Sequence, residues 1–292
     1  MHDARPPLFD PTASAHARRR ALKLAGDRFL DKAAADGLAD RLGAVTRKFA
    51  RGLWIVPASG SEPSDKPVPP PQIAPFAAEW VRAEFGADEG LQAKGGFDLA
   101  VSLFSLQTLN DLPGALVQVR RALRPDGLFV AALLGGNTLT ELRGAFAHAE
   151  IQTRGGVSPR VSPFADVRDL GGLLQRAGFA LPVADVERLT VRYGDFFALV
   201  RDLRAHGFTN ILAERSPAFL RRDTLAALLA CYAGQHSDDD GRLRARFETV
   251  YLTGWSPHES QQQPLTPGSA KARLAEALGA DEVVISGSKT PG

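Results

Sequence analysis

Histidine, cysteine and the short motifs of known catalytic sites indicate which chemistry a chain supports. The six histidines are isolated, and no two stand four residues apart as metal ligands on one helix face would. Cys231 is the only cysteine and lies in an apolar run, which favours a buried thiol in a reducing compartment. These patterns predict neither a metal site nor a catalytic thiol.

Three further motifs of known chemistry are missing from the sequence. Ser59, Gly60 and Ser61 lack the closing glycine of a nucleophile elbow. No P-loop and no GxGxxG motif occurs, which argues against an ordinary nucleotide site. No residue stands out as a general base.

The best-patterned part of the chain reads as a strand, a helix and a second strand. The apolar run 97–102 predicts a buried strand, Asp111 is a suitable N-cap for a helix ending at Leu123, and residues 128–133 predict another buried strand after a turn at 124–127. Two nearly uninterrupted apolar strands joined in this way imply a parallel sheet with helices on both faces. The predicted class is therefore α/β.

Other segments complete this expectation. Apolar residues at helical spacing over 16–49 predict one long or two broken amphipathic helices, and residues 53–56 predict a buried strand. Helices are expected over 139–149, 165–177, 196–206 and 223–232, and strands over 183–193 and 247–253. Seven prolines and glycines between Ser59 and Pro75 exclude a helix or a central strand and predict a long loop. A short helix is expected within 270–278.

Three blocks of sequence carry a family resemblance. The first runs from Phe97 through the Leu123-Arg124-Pro125-Asp126-Gly127 turn, the second is Gly135 to Arg143, and the third spans Gly155 to Phe164 and Asp169 to Phe179. The first resembles the fourth strand to fifth strand of class I S-adenosylmethionine-dependent methyltransferases. Together with Leu8-Phe9-Asp10, Arg222-Asp223-Thr224, Gly254-Trp255 and His258-Glu259-Ser260-Gln261, the blocks resemble the complex I assembly factor 5 family.

This resemblance implies a Rossmann-like methyltransferase fold with a mostly parallel sheet. The family is related to the malonyl-carrier-protein methyltransferase of biotin synthesis, and its mitochondrial member is described as an arginine hydroxylase acting on a subunit of the NADH:ubiquinone oxidoreductase. The implied function is methyl transfer or another protein modification, with S-adenosylmethionine as cofactor and a protein as substrate or partner. Fold alone does not establish the reaction.

The cofactor residues implied by the resemblance are Gly60, Asp88, Glu89, Ser102 and Leu103. Asp88 would hold the adenine, and the loop at Gly60 would hold the methionine part. This loop keeps one of the three glycines that bring the backbone close to the cofactor, and its prolines remove NH groups. The second strand is expected to end within 72–76, where no ribose-binding acid stands, and Glu79 is the nearest candidate.

The resemblance also implies a substrate or partner surface formed by Asn137, Arg143, Ser158, Phe164 and His258. Two main hypotheses remain open. The chain is either an active S-adenosylmethionine-dependent methyltransferase or protein-modifying enzyme, or an inactive methyltransferase-like assembly protein that acts on a respiratory-complex subunit. The altered loop predicts weak or absent cofactor binding under the second hypothesis. A chain that supports an active partner is a third alternative without a specific residue behind it.

Composition and charge set the remaining expectations. The 292 residues include 35 basic and 33 acidic ones, and a net charge of +2 does not favour nucleic acid as a partner. The sequence has no run of about 18 apolar residues, and its first residues lack the pattern of a signal or transit peptide. We expect a cytoplasmic, bacterial-type protein with a helical extension over 1–50, a methyltransferase-like domain over 51–260 and a weakly structured tail over 261–292.

Overall fold

A computed structural model describes residues 6–24, 26–57 and 69–262 of the chain. Contacts divide the chain into two units, residues 1–257 and residues 258–292, and the first unit carries the sheet. The predicted helix within 270–278 lies outside the described residues. The predicted boundaries at residues 50 and 260 stay predictions.

The described residues contain the helices and strands that the sequence predicts, with β2 as the exception in position. The helices are α1 (Pro11–Lys23), α2 (Phe29–Gly43), α3 (Leu112–Ala122), α4 (Thr140–Arg154), α5 (Val167–Arg176), α6 (Phe196–Ala205) and α7 (Arg222–His236). The strands are β1 (Phe49–Ile55), β2 (Ala77–Ala83), β3 (Phe97–Leu103), β4 (Leu123–Leu134), β5 (Ala180–Tyr193) and β6 (Leu243–Trp255). The region 16–49 thus contains two helices and the start of β1.

The six strands form one sheet in the order β2-β1-β3-β4-β6-β5. The first four strands are parallel, and β6 runs antiparallel to both β4 and β5. One apolar core packs α2, α4, α6 and α7 on one face, and a second core packs α3 and α5 on the other. The predicted mostly parallel α/β sheet covered on both faces is confirmed.

The predicted turn at residues 124–127 lies inside β4. Phe97 pairs with Leu123 and Leu99 pairs with Leu128, so the four residues 124–127 bulge out opposite a single residue of β3. Asp126 takes a positive φ of 61° within this bulge. Backbone hydrogen bonds to Ser256 hold the bulge, so the chain remains paired through a segment with turn chemistry.

No described helix is long and apolar enough to cross a membrane.

Candidate functional site

Two cavities lie at the carboxyl ends of the parallel strands. The smaller has a volume of about 270 Å³, and its lining includes Val56, Glu84 and Ser105. The larger has a volume of about 470 Å³ and lies beyond the end of β4, where Leu134 forms part of its wall. Ser14 and Thr108 line both cavities, which therefore adjoin.

The smaller cavity lies where the order of the sheet reverses. From β1 the chain continues to β2 on one side and then returns to β3 on the other side of β1. Open α/β sheets bind ligands in the crevice outside the carboxyl ends of the strands at such a reversal. Val56 follows β1, Glu84 follows β2 and Ser105 stands two residues after β3, so all three strands supply a residue to this cavity.

Two buried serines join the strand ends beneath the cavity. The hydroxyl groups of Ser102 and Ser105 are hydrogen-bonded to each other, and Ser105 Oγ also donates to the carbonyl oxygen of Ile55. Ser102 is completely buried, whereas Ser105 lines the cavity. Neither Ser102 nor Leu103, both of them predicted cofactor residues, lies in the cavity lining. Ser102 is linked to the lining by its hydrogen bond to Ser105.

The expected position of the second strand is wrong. This strand spans Ala77–Ala83 rather than ending within 72–76, because the prolines of that region delay its start. Glu84 follows it directly and lines the smaller cavity, whereas Glu79 lies exposed within the strand. An acid therefore does stand at the end of the strand next to β1, contrary to the prediction from the sequence.

The acidic pair at 88 and 89 has two different environments. Glu89 lines the smaller cavity, and its two carboxylate oxygens accept the backbone NH groups of Asn110 and Asp111, each at 2.6 Å. Asp88 is exposed, accepts the NH of Gly90 at 3.1 Å and is not part of the cavity lining. Gly60, the remaining predicted cofactor residue, lies outside the described residues.

The first helix closes the smaller cavity from above. Pro11, Ser14 and Ala15 of α1 line it. Two reciprocal hydrogen bonds fix the chain just before α1, because the NH of Phe9 donates to Asn110 Oδ1 at 2.8 Å and Asn110 Nδ2 donates to the carbonyl of Phe9 at 3.1 Å. Hydrogen bonds therefore fix the segment before α1 to the loop before α3.

The larger cavity is mostly apolar. Its aliphatic and aromatic lining residues are Phe9, Leu134, Leu139, Leu142, Phe146, Val161, Phe164, Phe196, Phe197, Val200, Leu203, Phe208, Ile211, Leu220, Leu225 and Leu228. Its charged lining residues are Arg18, Arg160 and Arg204. Burial lowers the pKa of Arg18 to about 10, against the opposing effect of the Asp31 charge, so the guanidinium stays protonated at neutral pH.

A buried carboxylate organises the loop beside the larger cavity. Glu150 is fully buried, and it accepts hydrogen bonds from the NH and hydroxyl of Ser158 and from the guanidinium of Arg160 at 2.7 and 2.9 Å. Burial alone would raise the pKa of Glu150, but the hydrogen bonds from Ser158 and the charge of Arg160 outweigh burial and lower it. Ser158 therefore holds the loop in place from outside the cavity.

The other predicted substrate residues are placed differently from one another. Phe164 lines the larger cavity. Arg143 donates to the carbonyl of Ser162 at 3.1 Å, and Asn137 donates to Glu248 Oε2 at 3.0 Å, so both hold neighbouring segments and neither lines the cavity. His258 belongs to the second unit, where its ring Nδ1 and the Ser260 hydroxyl are 2.7 Å apart.

Sequence reasoning missed Glu84, Arg18 and Asn110. Glu84 was overlooked because β2 has no alternating or apolar pattern, and its residues are AAEWVRA. Arg18 stands among three consecutive arginines of which two are exposed, so nothing in the sequence marks it as buried. Asn110 directly precedes the predicted N-cap Asp111. This position just before a helix is the sequence feature that could have placed Asn110 near the carboxyl ends of the strands.

A methyltransferase-domain family matches residues 8–182 of the chain. The human protein named arginine-hydroxylase NDUFAF5, mitochondrial, is 44% identical over 180 residues, which are 62% of this chain and 52% of that protein. The corresponding zebrafish protein is 41% identical over 180 residues, covering 62% of this chain and 56% of that protein. This chain therefore spans about half the length of the curated relatives it matches.

A second group of relatives bears a different name. The malonyl-[acyl-carrier protein] O-methyltransferase of Laribacter hongkongensis is 39% identical over 176 residues, covering 60% of this chain and 56% of that protein. Among solved structures, a putative methyltransferase from Bacillus halodurans covers 76% of this chain and 99% of its own, at 12% identity and a TM-score of 0.48.

Proposed function

This chain belongs to the methyltransferase-domain family, and on that premise we propose that it is an S-adenosylmethionine-dependent enzyme. The observation that carries the proposal is the meeting of Val56, Glu84 and Ser105 around one cavity at the reversal point of the sheet. This is the position where a fold of this kind binds its ligand. The proposal favours the active enzyme over the inactive assembly protein.

The described residues suit the cofactor. Glu84 offers carboxylate oxygens at the end of β2, and carboxylates accept hydrogen bonds from a pair of ribose hydroxyl groups in sites of this kind. The cavity volume of about 270 Å³ falls just below the range of about 300–1,000 Å³ that small-molecule sites occupy. Val56, Phe85 and Leu109 add apolar surface for the adenosine.

The chain's own residues position the reactants. S-adenosylmethionine, when bound, supplies an electrophilic methyl group. Ser105 and Ile55 hold the cavity floor, α1 covers the cavity against water, and the shared residues Ser14 and Thr108 open it towards the larger cavity. Methyl transfer to a nucleophile held in line depends mainly on such positioning.

We infer that the substrate reaches the larger cavity and is presented by a protein. The relative named malonyl-[acyl-carrier protein] O-methyltransferase supports this inference, since its name gives a carrier protein as the bearer of the substrate. A subunit of the NADH:ubiquinone oxidoreductase is the partner that we propose, and the cytoplasm, where a lone cysteine stays reduced, is the compartment. Capture of the full chain from its own cells would test this, and absence of any respiratory-complex protein would contradict it.

Calorimetric titration with S-adenosylmethionine tests the enzyme proposal. The full chain should bind one equivalent, and Glu84→Gln should weaken binding by about tenfold, since one lost charge-assisted partner is worth about 1.4 kcal/mol or more. Glu79→Gln is the matched control, because Glu79 lies exposed on the strand that Glu84 follows, and it should leave the dissociation constant unchanged.

The titration also separates the two hypotheses. Absence of binding to the wild-type chain would refute the enzyme and favour the inactive assembly protein. Equal weakening by both variants would show that Glu84 does not contact the cofactor. Since Arg82 Nη2 lies 3.7 Å from Glu84 Oε2, the fold of each variant should be checked by its urea unfolding curve.

A further inference from the structure

The charges around the larger cavity are all of one sign. Arg18, Arg160 and Arg204 line it, and no aspartate or glutamate does so in the part of the chain that the structure describes. The remaining wall is largely aliphatic and aromatic. Such a cavity disfavours a cationic group, because apolar walls weaken solvent screening of repulsion between like charges.

The three arginines are not equivalent. Arg160 donates twice to Glu150, which neutralises it, and Arg204 is exposed at the cavity rim. Arg18 donates to the carbonyl oxygens of Phe104 at 2.8 Å and of His206 at 3.4 Å. Among the described residues no carboxylate oxygen lies within 4.0 Å of its guanidinium. Arg18 is therefore a half-buried cation that no described carboxylate contacts, although the charge of Asp31 acts on it from beyond contact distance.

A half-buried guanidinium that no carboxylate contacts favours an anionic ligand. It has five NH donors, and taking it out of water costs several kcal/mol unless a negative charge compensates it. The two carbonyl groups satisfy some donors but carry no net charge. A carboxylate, which matches the planar guanidinium geometry, would supply both charge and acceptors.

A second polar group in the same cavity lacks a partner. The hydroxyl of Thr209, which lines the larger cavity, is buried without a hydrogen-bond partner. Buried polar groups are nearly always hydrogen-bonded in native proteins, so this hydroxyl is an unsatisfied polar group in a residue of the cavity lining. This observation is independent of the charge on Arg18.

We propose that the larger cavity binds an aliphatic carboxylate whose chain packs against the leucine and phenylalanine wall and whose carboxylate pairs with Arg18. The inference rests on the proposed function in treating this cavity as the substrate side, and it deepens that function by naming the class of group accepted there. Its binding does not require S-adenosylmethionine.

Three ligands with the same chain length test the charge requirement on the wild-type protein. Decanoate, decan-1-ol and decyltrimethylammonium are titrated below their micelle concentrations, without S-adenosylmethionine, and binding is followed by calorimetry. Decanoate should bind once per chain, at least about tenfold more tightly than the alcohol, and the ammonium ion should bind more weakly than the alcohol.

Variants on α1 assign the selectivity to one residue. Arg18→Gln should weaken decanoate binding by about tenfold or more and leave decan-1-ol binding unchanged, while Arg18→Lys should retain part of the selectivity. Arg19→Gln is the matched control, because Arg19 is exposed on the same helix. Val200→Trp, which adds bulk from the α6 side of the cavity, should weaken both ligands.

Four outcomes would overturn the proposal. These are absence of decanoate binding, equal affinity for decanoate and decan-1-ol, an unchanged decanoate affinity in a folded Arg18→Gln protein, and tighter binding of an apolar tripeptide with a free carboxyl terminus than of decanoate. The last would assign the cavity to a peptide end. Failure of S-adenosylmethionine to bind would leave these ligand results intact, so the two proposals fail separately.

Discussion

The hydroxyl of Ser105 donates a hydrogen bond of 3.2 Å to the carbonyl of Ile55, across the point where the strand order reverses. Both residues are buried, and the bond joins the end of β1 to the turn after β3. The hydroxyl of Ser102 is hydrogen-bonded to the Ser105 hydroxyl and helps to hold it in place. The floor of the smaller cavity is thus fixed by a side chain as well as by the strand ladder.

Ser105→Ala should lower both stability and cofactor affinity. The change leaves the carbonyl of Ile55 and the hydroxyl of Ser102 without this partner, so the free energy of unfolding should fall by about 1–2 kcal/mol. S-adenosylmethionine affinity should fall several-fold because the floor loosens. Urea unfolding and calorimetry measure the two effects. Ser237→Ala removes a hydroxyl at the end of α7 that lines neither cavity, so it is the control for affinity and should leave S-adenosylmethionine binding unchanged.

Substitutions of Asp88 and Glu89 should have different effects. Glu89 should contribute to stability, whereas Asp88 should not contribute to S-adenosylmethionine affinity. Glu89→Gln replaces one acceptor oxygen by an NH₂ group facing the backbone NH groups of Asn110 and Asp111, and should cost about 1–3 kcal/mol of stability. Asp88→Asn should leave the affinity for S-adenosylmethionine within about twofold, a difference well below 1 kcal/mol. A tenfold loss in Asp88→Asn would instead restore its predicted adenine contact.

The strands and helices could be predicted where apolar spacing is strong. Residues 97–103 and 128–134 form central strands as expected, because almost every side chain there is buried. The position of β2 was wrongly predicted because this strand lies at the sheet edge and buries only its first and last residues, which leaves no period in the sequence. The position of Glu84 could not be derived without β2.

Side-chain roles were harder to predict than elements. Ser158 and Arg143 stand in blocks that resemble a known family, but their hydrogen bonds to Glu150 and to the Ser162 carbonyl show that they shape loops. Partners this far apart are set by tertiary packing, which no local pattern encodes. Phe164 lies in the cavity wall, where its apolar side chain would be expected.

Two helical glycines, one packed against β6 and one exposed, should respond in opposite ways to substitution by alanine. A Cβ at Gly37 would overlap the phenol ring of Tyr251, so Gly37→Ala should destabilise the protein by about 1–3 kcal/mol. Gly144 lies in α4 with nothing within 4 Å of its added Cβ, and Gly144→Ala should stabilise by up to about 1 kcal/mol through helix propensity. Thermal unfolding of both variants tests this, and equal shifts would contradict the packing explanation.

Glu150 should make stability depend on pH in the acid range. Its folded-state pKa lies below the ordinary value of 4.5, because the Ser158 and Arg160 interactions outweigh the effect of burial. A carboxyl group with a depressed folded-state pKa binds protons more strongly when unfolded, so its stabilising contribution is present above about pH 4.5 and is lost as the pH falls through the folded-state pKa.

Glu150→Gln should therefore destabilise the protein at neutral pH but much less in acid. At about pH 7 it should lower the free energy of unfolding by about 3 kcal/mol, because Arg160 and the Ser158 groups lose a buried charged partner. Below about pH 4.5 the difference between variant and wild type should shrink, since protonation has already removed the charge. Glu214→Gln, an exposed acid, is the control and should run parallel to the wild type at every pH. Urea unfolding across this range measures both, and a pH-independent loss in Glu150→Gln would show that its charge contributes nothing beyond packing.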